Sequence, residues 1–275
     1  MRLIAARVKS RYPPGHFDWR GTTLKRFFSA ALLAGVLIAA IGATVASANH
    51  SWGGYHWART ANPFTVRLGD NVSGPWDAML VTAANDWTQS TVLDTPVVAG
   101  QAKPRSCRPT SGRVEVCSAN YGNTGWLGIA QIWITGGTHI TQGTVKNNDY
   151  YFGNSTYAYN NTAEMQHVIC QEIGHTFGLD HQDESGISLN TCMDYYHNTS
   201  GADTKSTHPN AHDYQELGII YGHLDSTTTV GSTAGFLPDA VPSFAAATRQ
   251  NDSTYVDDLG GGRKLVTYVI WTRKG

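Results

Sequence analysis

Charge is what this chain has least of. Only 15% of its 275 residues are charged, 20 basic against 21 acidic, for a formal net charge of −1. No long basic run offsets that balance, which argues against nucleic acid or an anionic membrane as the main partner. Long apolar runs are nearly as scarce. The one of membrane-relevant length, residues 27–45, follows Lys25-Arg26 and leads into Ala46-Ser47-Ala48, the order of an export signal. Residues 1–48 therefore read as a signal peptide with a long n-region, leaving a secreted mature chain from Asn49; the alternative is an uncleaved segment that tethers the protein to a membrane. No later segment reaches span length, so no stable membrane span is expected after cleavage. What is plentiful is Gly, Ser, Thr, Asn and aromatics, a composition suited to a secreted, loop-rich protein large enough to bury its own core.

The chemistry concentrates between Gln171 and His181. The stretch QEIGHTFGLDH follows the zinc-protease pattern HExxHxxGxxH at every defined position but the first, where glutamine stands for histidine. On a helix, positions 171 and 175 share one face, so both side chains can reach one ion. Gly178 allows a left-handed exit from the helix, and His181 returns as a third ligand. Three protein ligands leave a fourth place for water, as in catalytic rather than structural zinc sites. Glu172 falls where a general base would sit. Downstream, Thr191-Cys192-Met193-Asp194-Tyr195 stands at a distance suited to a Met-turn.

Together the two motifs resemble the metzincin clan of metallopeptidases, over residues 64–224. The order of elements is similar to a matrixin, whereas Tyr195, two residues after Met193, is similar to the tyrosine of astacins and serralysins that supports the tetrahedral intermediate. The resemblance implies an α+β, zincin-like domain: a twisted, mostly parallel sheet with an antiparallel edge strand, packed on an active-site helix and flanking helices. It implies one catalytic Zn2+ held by Gln171, His175 and His181, leaves room for a structural Ca2+, and makes Met193 a packed floor under the metal. Glutamine is a poorer donor than imidazole, so three arrangements stay open: Gln171 ligates zinc, Gln171 supports a site completed by Tyr195 or water, or the site is degenerate. The expected function is a secreted, monomeric zinc metalloendopeptidase acting on protein or peptide substrates. The alternative is a catalytically weakened or inactive secreted binding protein.

Four cysteines after an export signal suggest two disulfides among three pairings. Cys107 and Cys117 bracket a Pro/Ser/Gly-rich loop and are expected to pair locally; Cys170, beside Gln171, and Cys192, beside Met193, are expected to tie the metal helix to its floor. Lys103-Pro104-Arg105-Ser106-Cys107 faintly resembles a propeptide cysteine switch, but its position inside the domain and the nearby Cys117 argue otherwise. His167, His208 and His212 read as structural histidines. Residues 49–224 are taken as the catalytic domain and 225–275 as a linker with a strand-like tail at 264–272. Periodicity predicts a strand at 63–68 ending in a turn at 69–71, helices at 76–92, 161–179 and 208–223, and a hairpin of 125–134 with 138–146 around Gly136-Gly137. One strand of that region is expected to form the edge along which an extended peptide adds.

Overall fold

The computed structural model describes residues 50–233 and 247–273; the export-signal reading of residues 1–48 lies outside them. Chain order begins with β1 (His56–Trp57), β2 (Phe64–Thr65), β3 (Leu68–Asn71) and α1 (Pro75–Trp87). Next come β4 (Leu93–Asp94), β5 (Val97–Ala99), β6 (Val114–Ala119), β7 (Trp126–Thr135), β8 (His139–Asn148) and the short α2 (Asp149–Phe152). The metal-motif helix α3 (Thr162–His175) and α4 (Ala211–Ile220) precede β9 (Thr248–Arg249), β10 (Thr254–Gly260) and β11 (Arg263–Trp271).

A nine-stranded sheet runs β5-β3-β6-β8-β7-β11-β10-β9, with β1 also paired to β8. From β5 to β8 the pairings are parallel, and from β8 outward they are antiparallel. The fold is mixed α/β, and the sequence reading needs one correction here. Neither strand of the hairpin is the expected edge: β8 lies between β6 and β7, and β11 pairs along β7 from Lys264↔Ile134 to Trp271↔Trp126. The strand-like tail is thus an interior strand of the sheet, and β10 extends the antiparallel half further.

Local differences have local causes. Residues 69–71 were expected to turn, yet Gly69 and Asp70 pair with β5 on one side and β6 on the other, and Asn71 pairs with β6. A two-sided ladder outweighs the turn preference of Gly, Asp and Asn. Helix α1 begins with Pro at its first turn and stops at Trp87 rather than at 92. Thr95 then folds back, donating from Oγ1 to the Ala84 carbonyl at 2.7 Å, so an end-of-helix carbonyl finds its partner in the next strand segment. Helix α3 is capped by Asn161, whose side chain accepts from the Glu164 amide at 2.8 Å. Helix α4 starts with a capping box between Asn210 and Asp213.

The core lies between the sheet and α1, α3 and α4, and holds the fully buried Trp57, Trp87, Leu80, Phe177 and Leu217. Both expected disulfides are present, Cys107–Cys117 and Cys170–Cys192, with Cα atoms 6.0 and 5.9 Å apart. The second spans 22 residues, and closing such a loop in the unfolded chain contributes about 3 kcal/mol in the chain-entropy account. No helix among the described residues is long and apolar enough to cross a membrane.

Candidate metal centre

Helix α3 runs beneath the sheet with its last turn at the site. Its C-terminal carbonyls are not left orphaned: Trp57 Nε1 donates to the Thr176 oxygen at 2.9 Å and the Tyr221 hydroxyl to the Phe177 oxygen at 2.8 Å. The chain then turns at Gly178, where φ is +93° and a Cβ would fall 2.0 Å from the Tyr55 carbonyl oxygen. Only glycine meets both demands, and the turn delivers His181 back against His175.

The two imidazoles meet Nε2 to Nε2 at 3.1 Å. His175 Nδ1 lies 2.9 Å from the Leu179 carbonyl oxygen, and His181 Nδ1 lies 3.0 Å from Glu184 Oε1. Those acceptors hold the ring protons on the Nδ1 atoms, so each Nε2 turns a lone pair toward the other. Two facing lone pairs in a buried position call for a cation between them. Donors about 2.0–2.1 Å from a tetrahedral zinc are about 3.3 Å apart, close to the observed separation. Burial and then the His181 imidazole push the His175 pKa well below the ordinary value, which favours the neutral, ligating form.

Gln171 is oriented in the same sense. Its Nε2 donates to the Asp194 carbonyl at 2.7 Å, and its buried Oε1 has no hydrogen-bond partner among the described residues. An amide fixed by its nitrogen, with its oxygen uncommitted, suits a neutral metal donor. Glu172 is fully buried, and the main-chain N–H groups of Ile270 and Ala130 face its carboxylate. Neither oxygen completes a hydrogen bond with a described residue. Burial raises its pKa well above the carboxylate range despite those amides. The donors of Gln171, His175 and His181 therefore fit a zinc ion.

Met193 is fully buried under α3, its sulfur 2.5 Å from where a Cβ on Gly174 would stand. The Tyr195 ring meets the His181 ring edge-on at 5.1 Å, and its hydroxyl accepts from the Trp271 amide at 3.0 Å. Burial pushes the Tyr195 hydroxyl up to about 12. The structure thus sets His175 against His181 and His181 against Tyr195, with Met193 under Gly174 of the helix that carries Gln171 and Glu172. His167 is elsewhere, buried with Nδ1 against the Ser206 carbonyl at 2.6 Å, while His208 pairs with Asp86 and His212 stacks on His50.

Sequence reasoning missed Tyr268. Its ring lies on that of His175, with centroids 4.1 Å apart and planes 3° apart. It comes from β11, about ninety residues downstream, and alternation in 264–272 marked a strand without marking its neighbour. Through Tyr268, Ile270 and Trp271, this strand touches His175, Glu172 and Tyr195 in turn.

No family model matches the chain, and no curated protein does. Solved structures similar to it include two of myroilysin, at 11% identity, covering 60% and 66% of this chain and 96% and 97% of theirs, with TM-scores of 0.32 and 0.34. Another is a hatching enzyme zinc-protease, high choriolytic enzyme 1 of the medaka Oryzias latipes, at 13% identity, covering 62% of this chain and 96% of its own, with a TM-score of 0.33. With TM-scores this low, the reading of the centre rests on its own geometry.

Proposed function

We propose that this chain is a secreted zinc-dependent metalloendopeptidase of metzincin type, whose strand β11 occupies the edge where an extended peptide substrate would add. The observation that carries the reading is the pair of facing Nε2 atoms of His175 and His181, 3.1 Å apart, with Gln171 and the fully buried Glu172 on the helix turn before His175. A structural metal site has no use for a buried acid met only by main-chain amides. Zinc, when held by Gln171, His175 and His181, supplies a Lewis acid and a water of lowered pKa. Beside a bound cation the Glu172 carboxyl, which burial otherwise keeps protonated, ionises, and it then takes the proton of the attacking water and passes it to the leaving amine. The Tyr195 hydroxyl, its pKa raised by burial, stays protonated at neutral pH and would donate to the peptide carbonyl oxygen.

Substrate alignment follows from β7. An extended peptide lying antiparallel to β7 would use the main-chain groups that β11 now engages, so β11 acts as an internal occupant of the cleft. That same occupancy favours a second reading, a secreted binding protein with a silent cleft. The deciding experiment is hydrolysis of a quenched peptide library by zinc-loaded protein, with and without Val266→Pro in β11, against a Glu172→Ala control. Cleavage above the control supports the peptidase. No cleavage in either form, with zinc bound, leaves the binding protein.

A further inference from the structure

A second set of metal donors lies where β1 meets the segment after α4, away from the motif that marks the first. His56 Nε2 is 3.3 Å from His223 Nε2 and 3.4 Å from Asp225 Oδ1, and His223 Nε2 is 3.8 Å from the same oxygen. Tetrahedral zinc ligands at about 2.0–2.2 Å from the ion are about 3.3–3.6 Å apart. His139, at the start of β8, brings a fourth imidazole, its Nε2 3.3 Å from Asp225 Oδ1.

The hydrogen-bond partners sharpen the case. His56 Nδ1 lies 2.7 Å from the Gly54 carbonyl oxygen, the kind of second partner that orients a metal-binding imidazole toward the ion through Nε2. His56 Nε2 faces a carboxylate oxygen and a second imidazole nitrogen. Asp225 is divided in the same way: its Oδ2 accepts from the Arg59 amide at 3.1 Å and from Arg59 Nη1 at 3.0 Å, leaving Oδ1 to the histidines. Second partners thus orient two of the donors, as they do in metal sites.

We infer that His56, His223 and Asp225, with His139 alongside, form a second zinc site of structural type. Its place in the fold gives it a role. Trp57 follows His56 and Tyr221 precedes His223, and these two residues cap the C-terminal carbonyls of α3. A metal at the second site clamps both caps together and so holds the turn that presents His181.

The inference does not depend on peptidase activity, and its test does not read it. Full-length mature protein is dialysed against micromolar zinc and its metal content counted by mass spectrometry, beside His223→Ala and His181→Ala. The His223 side chain is 53% exposed, so its removal is compatible with folding. The expected result is two zinc ions per wild-type chain and one in each variant, with the imidazole 15N resonances of His56 and His223 moving on zinc addition. A zinc content unchanged by His223→Ala, or His56 resonances that ignore zinc, overturns it. One ion lost only in His181→Ala leaves the first centre alone; one ion lost only in His223→Ala keeps the second site and sinks the first.

Discussion

The histidine pairs at the two centres have nearly the same shape. His175 and His181 have ring centroids 4.6 Å apart at an interplanar angle of 84°, and His56 and His223 have the same 4.6 Å and 84°. In each pair one Nδ1 is held by a main-chain carbonyl close by in sequence, from Leu179 or Gly54. The acids differ. Asp225 gives one oxygen to Arg59 and the other to the histidines, whereas Glu172 has no ion-pair partner among the described residues and meets only the main-chain N–H groups of Ile270 and Ala130. An acid tied to an arginine is suited to fastening, and one free of a charged partner is suited to the proton transfer we propose for it.

The hardest test of that contrast removes the free acid. Glu172→Ala should lower peptide turnover by about 10²–10⁴-fold while leaving zinc content unchanged; equal turnover in the two proteins would show that the acid does no chemistry. Next in size is release of β11. Val266 pairs with Ile132 of β7, and proline there removes a ladder hydrogen bond in the middle of the sheet. Hydrolysis should rise about tenfold or more as the edge opens. A rate that falls or holds steady would mean that β11 does not block substrate.

What the sequence made legible was local or tied to a motif. The 171–181 stretch disclosed the meeting of His175 and His181 because one helix end and one glycine turn bring them together, and the hairpin around Gly136-Gly137 announced itself by alternation and turn residues. The second centre has no such signature, since His56 and Asp225 are 169 residues apart and neither lies in a recurrent spacing. Strand β11 was visible as a strand, but its pairing with β7 was not, because alternation specifies the faces of a strand and not its neighbour. The turn expected at 69–71 failed for the same reason: a two-sided ladder is a property of distant partners. Gln171 shows the opposite limit, a residue whose substitution was plain and whose orientation needed the Asp194 carbonyl to define it.

A finer test asks whether the two centres are chemically alike. Gln171→His gives the first centre an all-imidazole donor set, and zinc affinity there should rise about tenfold, read by competition with a chelating dye. The second site should not respond. Unchanged affinity at the first centre would take Gln171 Oε1 off the metal and make the residue a partner of Asp194 only.

The smallest expected effect concerns the sheet itself. Lys146 of β8 donates to Gln131 of β7 at 3.4 Å, and Gln131 donates to Thr267 of β11 at 3.2 Å, so a row of polar side chains crosses to the occupying strand. Burial lowers the Lys146 pKa from 10.5 to about 8. Between those values the unfolded chain holds more protons than the folded one, so this group makes stability rise with pH from about 8 upward. Buried tyrosines such as Tyr221 work in the opposite sense near pH 10, because burial raises their folded pKa, and a comparison with Lys146→Met cancels their contribution. The variant should be more stable than wild type at pH 7, by about 1–3 kcal/mol, with the gap closing as pH passes through 8 to 10. Chemical denaturation of both proteins at pH 7, 8.5 and 9.5 measures it; a gap that stays constant with pH would show that Lys146 is hydrated, and that the polar row does not seal the seam between β8, β7 and β11.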